Sequence, residues 1–440
     1  MRRNFRNRKR NSNNFKSLIS KVDTRKFILF MIILFLIFLI SFVSIKLYNV
    51  NHSTTAFNYE ISNSDIENDS NSTQSIISNE IDSNTVSEED QKVNDSTTFT
   101  IAALGDVMCH NTQYLDAYDK STGQYDFSYV FSDIIDYTKI PNLTIGSLET
   151  TFAGEDVGYS NYPTFNSPDS LVTSLRSIGV DVLSTAGNHA LDKGFSGLSR
   201  TIDVLDKNLI YHVGTNKSQE DQDTILYQYV KGVKIAILSY TYGTNGISIP
   251  SDKPYCVNLI DKDFIKSQVE KAKSENADLI VCCMHWGIEY SETPSSEQKT
   301  LADFLFQNGV DIVLGNHPHT LQPMEKRTVT LEDGSTKDGF IIYALGNFTG
   351  DQSDVDTRSS VILKLTITKH EDDHISIDNV SYTPIYMYKN SSVSTHKFKV
   401  LDIEKTISNY EKGIDTSIGS STYNTLKSQL NRINNILSLN

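Results

Sequence analysis

The sequence predicts an α/β domain completed by antiparallel strands and preceded by one membrane-spanning helix and a disordered tether. Three observations carry this reading. Apolar runs at 99–104, 143–148, 180–185, 233–239, 278–284 and 310–314 alternate with helical patterns, which implies βαβ units around a largely parallel core. Residues 27–45 carry no charge at all. Five short polar clusters, rich in His, Asn and acid, each come directly after an apolar run.

From the N-terminus, residues 1–26 hold ten Lys or Arg against the single acid Asp23, a net of +9, which leaves −23 of the whole-chain −14 for the remainder. Residues 27–45, with only Ser41 and Ser44 polar, come close to the roughly 20 residues that cross a bilayer. Their basic flank keeps 1–26 in the cytoplasm and exports the rest of the chain, giving a single-pass protein of the cell membrane whose main domain is extracytoplasmic. A cleaved signal peptide fits less well, because the apolar core is too long and no small-x-small cleavage site lies beyond it. The same basic stub beside a membrane helix is a topology signal, so no nucleic acid partner is expected. Residues 46–97 are rich in Ser, Asn, Asp and Glu and hold no Gly or Pro; such a linker buries too little apolar surface to offset its ordering entropy.

Order begins at 98, and a domain is expected over 98–385 with a helical tail over 386–440. Ser167 as N-cap and Pro168 at the first position start one helix, which ends at Gly179. Leu198, Ile202 and Leu205 mark a second helix, and Leu301, Phe304 and Leu305 a third. Beyond 320, Asp333-Gly334 reads as a hairpin turn, and the runs 340–345, 360–368 and 374–382 have no helices between them. Leu426, Leu430, Ile433 and Leu437 give residues 420–438 an amphipathic helical pattern. The four cysteines, Cys109, Cys256, Cys282 and Cys283, match neither a disulfide framework nor a zinc motif and read as small buried hydrophobes.

The clusters are Gly105-Asp106-Val107-Met108-Cys109-His110, Ser147-Leu148-Glu149, Gly187-Asn188-His189-Ala190-Leu191-Asp192, Met284-His285-Trp286-Gly287 and Gly315-Asn316-His317-Pro318-His319. Strand ends deliver them to one sheet edge, where open α/β sheets keep their sites. Imidazole beside carboxylate and amide oxygen suits a divalent metal better than a Ser-based triad. Asp106 and Glu149 would supply anionic oxygen, Asn188 an amide oxygen, and His285, His317 and His319 imidazole nitrogen. Taken singly, each cluster has an ordinary reading as a helix cap, a turn or a satisfied histidine. Five in succession at strand ends point to one shared pocket. Trp286, the only tryptophan, fits either a substrate wall or a cap on the core. Glu289 and Tyr290 lie beyond a strand end and are candidates for contacting ligand, while Asn347 fits an outer hydrogen-bonding role or a turn.

These residues also carry a resemblance. Gly105-Asp106-Val107-Met108, Ser147-Leu148-Glu149-Thr150, Gly187-Asn188-His189-Ala190-Leu191-Asp192, His285-Trp286-Gly287-Ile288-Glu289-Tyr290, His317-Pro318-His319 and Tyr343-Ala344-Leu345-Gly346-Asn347-Phe348 resemble, in order and over about 98–370, the serial motifs of the CapA family of poly-γ-glutamate capsule biosynthesis proteins. That family is similar to the calcineurin-like metallophosphoesterases. The resemblance therefore implies a two-sheet sandwich flanked by helices, with one or two divalent ions (Mn, Zn, Fe, Mg or Ca). It implies Asp106 as the first-motif aspartate, Glu149 as a bridging carboxylate, Asn188, His285 and His317 on one metal, and His319 on the other. His189 would contact the scissile group, oriented by Asp192.

Two departures stand out. Met108 occupies the place of a histidine in the phosphoesterase first motif, with His110 the candidate to reach round, and Glu149 replaces an aspartate. The expected activity is metal-dependent hydrolysis or transfer on an acidic polymer or small anionic substrate. Expected partners are the bilayer, a membrane-bound polyglutamate ligase and export subunits. The alternatives are a free-standing phosphoesterase-like hydrolase and a non-catalytic scaffold with a decayed site. The −23 charge would repel a polyanion at long range, so binding needs a local positive centre.

Overall fold

A computed structural model describes residues 96–330, 334, 336–414 and 417–438. The basic stub, the expected membrane helix and nearly all of the acidic linker lie outside them. Among the described residues no helix is long and apolar enough to cross a membrane.

Two mixed sheets form the framework. In the first, β1 (Thr97–Val107), β4 (Leu143–Leu148), β5 (Val182–Ser184) and β6 (Tyr211–Val213) run parallel. The antiparallel strands β14 (Ser359–Lys369), β15 (Ile375–Lys389) and β16 (Phe398–Asp402) extend its other side, and β13 (Asn347–Thr349) pairs with the end of β1. In the second, β8 (Val233–Thr241), β9 (Leu279–His285), β10 (Ile312–Asn316) and β12 (Thr336–Leu345) run parallel between antiparallel edges β7 (Leu226–Val230) and β11 (Leu321–Thr330). A small hairpin, β2 (Tyr118–Asp119) with β3 (Gln124–Tyr125), stands apart.

The period-2 alternation of each strand sorts its side chains into layers. Ile101 and Ala103 of β1 meet Ile237, Val281, Leu314 and Phe340 in the core between the sheets. Ala102 and Leu104 face the other way, onto Leu171, Leu175 and Leu205 of the helices Ser170–Ser177 and Gly194–Lys207. On the second sheet Ala236, Leu238, Ile280 and Cys282 likewise face Ile265 and Val269 of helix Lys262–Ser274 and Leu301 and Leu305 of helix Ser296–Asn308. The result is helix, sheet, sheet, helix. Each fully buried Ile or Leu in these layers contributes about 1.5–3 kcal/mol relative to exposure.

Each of the six early apolar runs contains a strand or most of one, and β11 and β12 form a hairpin whose register ends at Thr330 and Thr336; Asp333 of the expected turn lies outside the described residues. Two expectations need correction. The helix expected from Ser167 begins at Ser170, because the Ser167 hydroxyl is held by Thr150 at 2.6 Å and its N–H donates to Thr151 O. Nor is there a separate tail from 386. The strand β15 runs through that position, and Leu401, Ile403, Ile407, Leu426, Ile433 and Leu437 join the central core. The amphipathic helix Ser420–Ile436 packs its apolar face on β11, β14 and β15.

Candidate metal centre

Strands of both sheets end at one place, and each brings a polar group there. Pairing of β1 with β4 sets Asp106 opposite Ser147, whose hydroxyl donates to Asp106 Oδ1 at 2.9 Å. The His317 N–H donates to Oδ2 at 3.1 Å, tying the second sheet to the first. Two glycines allow the close approach. A Cβ on Gly105 would lie 1.9 Å from Gly346 O, and one on Gly315 the same distance from Tyr343 O. His317 and His319 both hold left-handed backbone, with φ of 97° and 61°, a conformation that non-glycine residues keep mainly where function demands it.

Glu149 sits at the centre. It is 1 % exposed, and neither carboxylate oxygen has a hydrogen-bond partner. Around Oε1 stand the Nε2 atoms of His319 at 3.7 Å, His189 at 3.9 Å and His285 at 3.9 Å. Those gaps exceed a hydrogen bond and approach the spacing of two donors that share an ion with bonds of about 2.1 Å. Two donor sets each converge within 4.8 Å: Glu149, His285 and His317, and Asp106, Glu149 and His319. Nδ1 of His285 and Nδ1 of His317 are buried and unpartnered as well.

The electrostatics agree. Burial pushes the Glu149 carboxyl well above the carboxylate range, and burial likewise pulls His285 down to about 4 and His317 to about 2. Burial opposes charge on His319 too, but Glu149 and Asp106 outweigh it and hold that imidazole up to about 9. Asp106 resists the same burial, brought below its usual range by His319, His285 and the His317 N–H. A buried carboxylate and two neutral imidazoles around one point are short of positive charge, and a divalent cation is the group they fit.

Supporting contacts orient the donors. Asn347 Oδ1 lies 3.0 Å from His319 Nδ1, while its amide N–H groups donate to Gln352 Oε1 and Thr357 O. This is the outer-shell pattern that fixes a ligating histidine's tautomer. Asn188 Oδ1 lies 2.9 Å from His285 Nε2, so the amide and the ring are neighbouring donors. Asp192 Oδ2 lies 2.7 Å from His189 Nδ1 and also accepts the Phe165 N–H, holding the ring with its Nε2 toward Glu149.

Other expected residues fall elsewhere. His110 stands in neither donor set: its Nδ1 accepts the Asp351 N–H at 3.0 Å, and its ring meets Phe165 edge-on. Met108 is buried and does not open that place to it. Trp286 is not a substrate wall, since it is 2 % exposed, donates from Nε1 to Tyr343 O and packs in the outer core of the second sheet. Glu289 is exposed beyond the strand end, and Tyr290 reaches back with its ring 5.9 Å from that of His319. Three neighbours escaped sequence reasoning. Asn245 approaches His189 Nε2 at 3.4 Å, Tyr242 lies against His317 with ring centres 4.6 Å apart, and Phe165 meets His189 edge-on. The polar loop after the 233–239 run was the signal for the first two; nothing local marked Phe165.

The family described as "Bacterial capsule synthesis protein PGA_cap" matches residues 100–352, the span that supplies every donor of this centre. The Bacillus anthracis "Capsule biosynthesis protein CapA" is 30% identical over 277 residues, 60% of this chain and 63% of that protein. The Bacillus subtilis "PGA biosynthesis protein CapA" is 34% identical over 201 residues, 45% of this chain and 50% of that protein. The matches thus span between half and two thirds of those relatives. Among solved structures, the chain is similar to a 5'-nucleotidase precursor from Thermus thermophilus (16% identity, 66% of this chain and 55% of that one, TM-score 0.40). It is also similar to the NAD nucleotidase of Haemophilus influenzae (14% identity, 78% and 61%, TM-score 0.42).

Proposed function

This chain belongs to the family of bacterial capsule synthesis proteins, PGA_cap, and from that premise we propose that it acts in making or exporting a poly-γ-glutamate-type polymer through a pocket holding one or two divalent ions. The observation that carries the metal is Glu149, a buried carboxylate with no hydrogen-bond partner and three imidazole nitrogens within 4 Å. Asp106, Glu149 and His319 would hold one ion; Glu149, His285 and His317, with Asn188 alongside, would hold the other. When bound, such an ion supplies the local positive charge that draws an anionic group of the polymer into a domain of strongly negative net charge.

The remaining steps belong to the protein. His189 gives its Nδ1 proton to the Asp192 carboxylate as a hydrogen bond, which leaves Nε2 to take a proton from the reacting group or return one. Asn245 steadies that nitrogen. Burial of the whole set excludes bulk water, so each charge acts at full strength. Hydrolysis and transfer of an acyl or phosphoryl group both use this arrangement. The apolar stretch 27–45 would tether the domain beside a membrane-bound polyglutamate ligase and export subunits.

The test uses full-length chain purified in detergent. Elemental analysis is expected to find at least one equivalent of a divalent metal, and Glu149→Gln should lower it at least tenfold while circular dichroism stays unchanged. The same substitution should abolish polymer in a cell that depends on this protein. Less than one equivalent, unaffected by Glu149→Gln or His317→Ala, would overturn the proposal.

A further inference from the structure

Beside the Tyr290 loop lies a concavity of about 390 Å³, lined by His110, Tyr162, Tyr290, Gln352, Asp354 and Thr357. Its lining adjoins the centre: the Tyr290 ring centre lies 5.9 Å from that of His319, and Gln352 accepts from the Asn347 that holds His319. The Tyr290 N–H donates to Pro318 O at 2.8 Å, fastening this wall to the His317-Pro318-His319 turn. Tyr290 keeps a left-handed φ of 64° while more than half exposed.

The chemistry of the lining is selective. No lysine or arginine lines it. Arg358, which also donates to Gln352 O, and Lys389 both pair with Asp351, a carboxylate only 6 % exposed. Its charged member is the Asp354 carboxylate. A carboxylate entering here would lie beside the Asp354 carboxylate with no lysine or arginine among the lining residues to pair with it. Uncharged donors, by contrast, are at hand. His110 Nδ1 accepts the Asp351 N–H, so the neutral ring carries its proton on Nε2. The Tyr290 hydroxyl has only a 3.5 Å contact from Gln352 Nε2 and keeps its own hydrogen to donate.

Building on the functional reading above, we propose that this cavity is a substrate subsite for an uncharged, carbonyl-bearing segment, an amide link of the polymer, with His110 Nε2–H and the Tyr290 hydroxyl as its donors. The polymer's next carboxylate stays outside it, in water. His110 and Tyr290 thereby read the group adjoining the one held at the centre.

Two probes of equal size separate the cases: glutarate, with two carboxylates, and glutaramate, in which one carboxylate is an amide. Titrated calorimetrically into metal-loaded full-length chain, glutaramate is expected to bind at least fivefold more tightly. Tyr290→Phe, an exposed position that does not threaten folding, should cut that preference severalfold, and His110→Leu should erase it, with metal content unchanged in both. Equal or tighter glutarate binding, binding of neither probe, or a preference untouched by both substitutions would overturn the subsite while leaving the metal-centred reading intact. A chain that takes up no metal would instead overturn the reading on which the subsite rests.

Discussion

Asn347 touches no candidate ion position, yet it fixes the ring of His319, so its loss should register in metal affinity. Asn347→Ala is expected to weaken divalent metal binding by about 10–100-fold, read by competition against a fluorescent chelator; an unchanged affinity would mean that His319 is held by other means. His110 offers a prediction in pH. Burial pulls its imidazole down to about 4 from 6.5, so the folded chain stays neutral where the unfolded chain takes up a proton. Stability is therefore lost as pH falls from about 6.5 toward 4, at up to about 1.4 kcal/mol per pH unit. His110→Asn, which keeps an acceptor for the Asp351 N–H, should make the fall of the denaturation midpoint over that window less steep, with the remaining slope carried by His285 and His317. The donors themselves were legible because each sits at or just past a strand end. Trp286 was not, because a tryptophan beside a ligand has one local pattern whether its ring turns to the cleft or, as here, into the core against Tyr343.

Among the elements, the last helix does more than cover the core. Arg432 of Ser420–Ile436 pairs with Glu292 at 2.6 Å and with Asp356 at 3.3 Å, and Gln429 donates to Asp356 Oδ1 at 2.9 Å. Glu292 lies just past the Tyr290 loop and Asp356 belongs to the 353–357 turn, so one helix braces both walls of the cavity. Arg432→Ala is expected to cost about 1 kcal/mol, since both carboxylate partners are partly exposed and screened, and to speed proteolytic cutting within 350–358. Arg432→Lys should restore part of the stability; equal cutting rates in all three proteins would show that the brace is idle. Periodicity revealed this helix without its partner face, since an apolar stripe states that a face is buried and not against what. The 386 boundary failed for a related reason: β15 is buried chiefly near its C-terminal end, and its length is set by pairing with β14 and β16.

In the molecule as a whole, the buried donor set works against folding until a cation arrives. A divalent ion at 100 times its dissociation constant should add about 2.7 kcal/mol to stability, raising the thermal midpoint, and a chelator should reverse it. Glu149→Gln is expected to abolish that response and, in metal-free buffer near neutral pH, to stabilise the chain, because burial disfavours the ionised carboxylate that the unfolded chain carries and an amide does not titrate; a metal-free variant less stable than its parent would contradict this.

The order of strands and helices, the polar clusters at their ends and the mixed nitrogen and oxygen chemistry were determined by the sequence alone, because each rests on local periodicity and on side-chain type. Tertiary structure alone decided how strand register brings the donors together and that His110 and Tyr290 line a neighbouring cavity and stand in neither set. Those outcomes depend on strand register and sheet packing between residues as far apart as Asp106 and His317, which no local pattern encodes.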